Sequence, residues 1–223
     1  MKEFRSDPRF VAGEYEAGLR FNDGIDLYDC VKTNENFFIG KQWEGVVSNG
    51  LPTPVFNFLK RVVLFSVANV STDNLKLHAK PLPSSGKYPA IVMETISDIL
   101  NDQFSGIFEF NKMGSVIREF ARNAAVDGDG CTYTYWDPDA ETGQPSKGAI
   151  RTEVLMNTQV LFGTPNSRDI QSQPYILIER RMLVYEAEKR AREYGASEDE
   201  ISRIVPDEKE SGDNHMDSLG GDK

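Results

Sequence analysis

Between Pro54 and about Asn69 the chain carries an apolar run in which Lys60 and Arg61 are the only charged residues. Where this run goes constrains everything else. Pro near its start suits the first turn of a helix. Wound as a helix, it puts Val55, Phe58, Leu59, Val62 and Phe65 on one face and Phe56, Val63 and Val67 on the next. A helix apolar around most of its circumference must be covered on several sides, within one fold or between subunits. The expected place is the centre of the domain, where Phe58→Ala would cost about 3–5 kcal/mol.

Other helices announce themselves by spacing. Leu27, Val31 and Phe38 mark one from about Asp23 to Ile39, with Asn22 or Asp23 as cap and Gly40 as its left-handed stop. Val92, Ile96, Ile99 and Ile107 mark a helix over roughly Pro89–Phe108. Met113, Val116, Ile117, Phe120 and Ala124 mark another over Lys112–Val126, halted by Asp127-Gly128-Asp129-Gly130. Met182–Tyr194 is the last long helix, with Glu186–Arg190 and Glu188–Arg192 as four-residue pairs. Ser197 and Glu200 form a capping box that opens a short helix running to about Val205.

Strands are expected at Leu75–Lys80, which alternates with period two, and at Cys131–Trp136, which is β-branched and aromatic. Ala149–Leu155, Gln159–Phe162 and Tyr175–Glu179 complete the set. The expected fold is α+β: an N-terminal helical layer, Asp23–Val126, packed on a mostly antiparallel sheet, with a closing C-terminal helix. The expected organisation is a flexible N-terminus over 1–14, one domain over 15–205, and an acidic, disordered tail over 206–223.

Charge narrows the partners. Lys and Arg total 25 against 35 for Asp and Glu, a net of −10, which argues against a broad basic face gripping nucleic acid. Much of it is local: Ala196–Lys223 holds nine acids and three bases. The N-terminus has no signal-peptide core, and Val62–Val70 is far short of the roughly 20 residues a spanning helix needs. A soluble cytoplasmic protein is the expectation.

The chemistry-bearing residues form weak patterns. Cys30, Cys131, His78 and His215 are too scattered for a zinc site by spacing. Asp127-Gly-Asp129-Gly-Cys131 opens like a calcium loop, but Cys131 stands where an oxygen ligand is needed. Asp137, Asp139 and Glu141 miss the same pattern, with Gly148 in place of the closing Glu. No GxSxG elbow occurs, and Gly163-Thr164-Pro165-Asn166 lacks the Lys and the helix of a phosphate loop. Tyr133, Tyr135 and Trp136 could stack on bases, but the adjoining loop is acidic and cross-strand packing suits them better. The expected catalytic, cofactor and metal sets are therefore empty. A metal-dependent hydrolase using Asp127, Asp129 and Asp137 is the reading from a different class.

One series of motifs is more specific. Asn34-Glu35-Asn36-Phe37-Phe38-Ile39-Gly40-Lys41-Gln42-Trp43 resembles the opening of tailed-bacteriophage portal proteins. Leu51-Pro52-Thr53-Pro54-Val55-Phe56-Asn57 is similar to that family's Pro-x-x-Asn approach to its second helix. Asp169–Ile176, containing Gln173-Pro174, and Arg180-Arg181 look like a segment of portals from phages of Gram-positive hosts. The resemblance runs from about Tyr15 to Asp207 and covers the wing; segments matching the stem, clip and crown do not follow Pro206.

The resemblance implies a structural subunit of a homo-oligomeric ring, usually dodecameric, at a capsid vertex of the virion, assembled in the host cytoplasm. Double-stranded DNA passes through such a ring, without sequence-specific binding, during packaging and ejection. Terminase, capsid and head-completion proteins are its partners; membranes and cofactors are not. The motif residues Asn36, Phe37, Phe38, Gly40, Gln42, Trp43, Pro52, Pro54, Asn57, Gln173 and Pro174 are expected to serve folding. A head-completion or adaptor-type virion protein is the alternative.

Overall fold

The computed structural model describes residues 8–72, 76–81, 89–143, 147–167 and 169–206. The fold is α+β. The chain divides into two compact units, one drawing its described residues from Met1–Lys32 and Thr158–Lys223, the other from Thr33–Asn157.

The first unit is built on α1, Pro8–Gly24, whose helix begins inside the stretch 1–14 expected to be flexible. Pro occupies its first position, where a missing N–H costs nothing. Phe10, Glu14 and Gly18 recur at four-residue spacing and meet the ribbon formed by β3, Val160–Phe162, and β4, Ile176–Ile178. Phe10 stands edge-on to Tyr175, 6.4 Å between centroids, and the Tyr175 hydroxyl donates to the Glu14 carboxylate. Gly18 lies against Leu161, which is 2% exposed; a Cβ on Gly18 would come within 2.9 Å of Leu161 Cβ. The strands pair antiparallel, with Leu161 opposite Leu177. The closing helix α6 is Val184–Glu193, and α7, Glu198–Ile201, follows with the expected capping box and a buried Ile201.

The helix expected over Asp23–Ile39 is a break and a new helix. Asp26 takes a left-handed φ of 54°, which ends α1, and α2 runs Leu27–Ile39. The boundary between the two units falls within α2.

The second unit holds α3, Phe58–Thr72, α4, Ala90–Phe110, and α5, Met113–Asp127, with the hairpin β1, Cys131–Asp137, and β2, Ala149–Leu155. Both strands match the sequence reading closely. The hairpin is antiparallel, Cys131 opposite Leu155 through Asp137 opposite Ala149. Helix α5 packs on α3 and β2, and α4 rests on α5 and β2. Asn111, just past α4, donates from Nδ2 to the carbonyls of Ile107 and Ile150, both at 2.8 Å, and accepts from Thr152 N–H at 2.9 Å. One side chain thus closes a helix end and covers a strand edge.

Three expectations need correction. The single sheet is, among the described residues, two separate two-stranded ribbons. The described part of the Leu75–Lys80 strand, Lys76–Lys80, is not a strand: its Ala79 backbone pairs with the Asn101 carboxamide, N–H to Oδ1 at 2.7 Å and Nδ2 to C=O at 3.3 Å. An amide side chain offers the same donor–acceptor pair as a neighbouring strand, so no sheet partner is required. Finally, α3 does not sit in a core. It packs on α5 from one side, with Val67 buried, while Phe58, Val62 and Phe65 are 67%, 63% and 68% exposed.

Candidate functional site

Nine of the eleven motif residues lie between the last turn of α2 and the cap of α3, within the second unit. Helix α2 ends in a Schellman motif. Lys41 N–H reaches the Asn36 carbonyl at 2.8 Å and Gly40 N–H reaches Phe37 at 3.2 Å. Gly40 has φ of +93°, which a residue with a Cβ adopts only under strain. The chain then turns back. Trp43 Nε1 donates to the Pro54 carbonyl at 3.1 Å, and Gln42 Nε2 approaches the same oxygen at 3.5 Å. Pro52 is exposed in this connection.

Asn57 completes the junction. Its Oδ1 accepts from Lys60 N–H at 2.9 Å, capping α3, and its Nδ2 donates to the Phe38 carbonyl at 2.7 Å. It therefore satisfies an orphan donor of one helix and an orphan acceptor of another. This also explains why α3 starts at Phe58 rather than Pro54: the cap is Asn57, and Pro54 contributes its carbonyl to Trp43. Phe37 faces outward, while Phe38 carries the Arg122 guanidinium 4.8 Å above its ring and the Lys60 ammonium at 5.7 Å.

Gln173 and Pro174 belong to the first unit. Gln173 Oε1 accepts from Thr164 N–H at 2.8 Å and its Nε2 donates to the Thr164 carbonyl at 2.9 Å, again a side-chain stand-in for a strand. Pro174 packs against Gly163. The hydrogen bonds of Asn36, Gly40, Gln42, Trp43, Asn57 and Gln173 close turns and helix ends, whereas Phe38 packs beneath two cations.

A charged cluster adjoins the junction. Glu35 of α2 and Arg122 of α5 form a two-pronged ion pair, Nη1 to Oε1 and Nη2 to Oε2. Asp127, at the end of α5, has its Oδ1 buried without a hydrogen-bond partner. Burial first, and then the Glu35 charge, push its carboxyl up to about 6, with Arg122 pulling the other way.

The three acids of the hydrolase reading are not brought together. Asp129 is exposed beyond α5, and Asp137 lies at the far end of β1, six residues past Cys131, roughly 20 Å of extended strand. There Asp137 pairs with Arg151 Nε at 3.4 Å. Among the described residues no group of three or more metal-binding side chains gathers. His78 is exposed on the irregular segment, His215 lies outside the described residues, and Cys30 and Cys131 are free thiols.

Two features were not foreseen. A half-open cavity of about 700 Å³ lies among α3, α4, α5 and the 76–78 segment, walled by Phe104, Phe108, Met113 and Ile117 with His78 and Asn101 at its polar side. More extensive is the outward apolar surface. Besides Phe58, Val62 and Phe65 on α3, the residues Ile91, Val92, Ile96 and Ile99 of α4 are exposed. The spacing of both groups was legible; which way they face was not.

No helix among the described residues is long and apolar enough to cross a membrane. No family model and no curated protein matches the chain.

Proposed function

We propose that this chain is a structural subunit, corresponding to the N-terminal wing-like part, of a tailed-phage portal ring through which DNA is packaged and ejected. The observation that carries the reading is the outward apolar face of α3, which follows directly on the motif junction from Asn36 to Asn57. A contiguous exposed patch of aromatic and aliphatic side chains rimmed by polar residues marks a protein–protein contact. A ring subunit has such surfaces by construction, because each copy must bury part of itself against the next.

The junction fits a role as a rigid connector. The polar groups it fixes are backbone groups at the end of α2, at the start of α3 and at Pro54 between them, so the connection ties the two helices together without chemistry of its own. The net charge of −10 fits a conduit, since phosphates sliding past find few cations to hold them. Terminase, capsid and head-completion proteins are the partners the reading assigns.

The order of neighbouring genes tests it. A large-terminase gene immediately upstream and a capsid gene downstream are expected. A neighbourhood with neither, in several genomes carrying this sequence, overturns the portal reading.

A further inference from the structure

Resting on the reading that the chain assembles, we propose that the outward face of α3 in one copy docks on the outward face of α4 in the next, a head-to-tail contact between two different surfaces of the same chain. Phe58, Val62 and Phe65 on α3 repeat at i, i+4 and i+7, and Val92, Ile96 and Ile99 on α4 repeat at the same interval. Ridges of equal spacing interdigitate when two helices pack. Both stripes are exposed among the described residues: α3 turns its opposite side to α5, and α4 buries the side that carries Ser97.

The area suffices. With the neighbouring exposed aliphatics, the two faces present on the order of 1,000 Å² of apolar side chain, about the apolar share of a stable interface of roughly 1,600 Å². A second copy supplies the larger apolar surface, because the segments outside the described residues are poor in such side chains. Those segments carry only scattered large apolar side chains, Phe4, Leu75, Leu82, Tyr88 and Leu219 with two methionines, in otherwise polar sequence.

Charge decides between pairing modes. Arg61 borders the α3 stripe, whereas Asp102 borders the α4 stripe, and both are exposed. Docking α3 on α3 sets cation against cation, and α4 on α4 sets carboxylate against carboxylate; α3 on α4 pairs opposite signs. A contact between unlike faces propagates from copy to copy and closes into a ring when the rotation allows.

The test is native mass spectrometry and sedimentation velocity of the full chain across the micromolar range, with variants on each face. Val62→Asp with Phe65→Asp, and separately Ile96→Lys with Ile99→Lys, should each weaken self-association by about 100-fold or more while leaving the circular-dichroism spectrum unchanged. Because each variant keeps one intact face, mixing the two should give a one-to-one heterodimer that grows no further. A mixture that stays monomeric overturns the head-to-tail arrangement. Assembly undiminished in both variants overturns the surface yet leaves the assembly reading standing, and a wild-type chain that is monomeric throughout overturns both. Should an aspartate pair unfold the chain, Arg61→Asp and Asp102→Arg serve instead. Each single reversal should weaken association about tenfold and the double reversal should restore it; equal weakening in the double variant overturns the pairing.

Discussion

Asn57 shows how much one carboxamide can settle. Capping α3 requires an acceptor, and closing α2 requires a donor; Asn supplies both within one rigid plane. Asn57→Ala should cost about 1–2 kcal/mol in urea unfolding, because it strips the cap and strands the Phe38 carbonyl. Asn57→Asp keeps the acceptor and loses the donor, so it should fall between the two. If Asn57→Asp proves as harmful as Asn57→Ala, the cap contributes nothing. Asp127 makes a different kind of prediction. Its carboxyl is pushed up to about 6 by burial first and by Glu35 next, well above the unfolded value. The folded state therefore holds this proton more tightly than the unfolded chain, so its contribution to stability is full below about pH 4 and is lost as pH rises through 6. Since the residue is only half-buried, solvent screening reduces the effect to about 1 kcal/mol. Asp127→Asn should match the wild type near pH 4 and exceed it above pH 7; identical pH profiles for the two would show that the carboxyl is already ionised in the folded state at low pH.

Among the helices, the test of what each face is for lies in a pair of truncations. Leu161→Ala should cost about 2–5 kcal/mol, because the side chain is enclosed between α1 and the β3–β4 ribbon. Phe58→Ala in the monomeric protein should cost less than about 1 kcal/mol, the opposite of what its sequence context suggests, because two-thirds of the side chain already meets solvent. A larger loss for Phe58 than for Leu161 would place α3 inside after all. The same contrast explains which elements could be read beforehand. Strands β1 and β2 were legible because β-branched and aromatic residues run together between turn-forming glycines. Helix α5 was legible because its stripe faces a partner in its own chain. Helix α1 was not, since the residues it turns toward its partners include Glu14, Gly18 and Asn22, and no hydrophobic periodicity records contacts of that sort. The false strand at Leu75–Lys80 has a related cause: alternation describes an extended backbone, and the Asn101 side chain satisfies that backbone as well as a strand does. For α3 the pattern gave the helix and the apolar faces correctly. Pattern alone does not say whether the covering surface belongs to the same chain or to another one, nor that nine of the motif residues meet at one junction while Gln173 and Pro174 belong to the other unit.

For the molecule as a whole, the sign of the salt response separates self-association from binding to DNA. Copies carrying −10 each repel at a distance, and raising the salt shortens that repulsion from a range of about 10 Å at 0.1 M toward 3 Å at 1 M. The seam proposed between α3 and α4 is mainly apolar and keeps its strength. Self-association should therefore strengthen as salt rises, whereas any grip on DNA releases counterions and must weaken. Much of the repulsion can be removed selectively. Residues 207–223 hold six acids and two bases, so a chain ending at Pro206 falls from −10 to −6. In sedimentation runs that shortened chain should associate several-fold more tightly than the full chain at low salt, and the two should converge at high salt, where screening makes the difference in charge immaterial. Association that instead declines steeply with salt in both chains would mean that ion pairs hold the copies together, and the apolar stripes of α3 and α4 would then need another occupant.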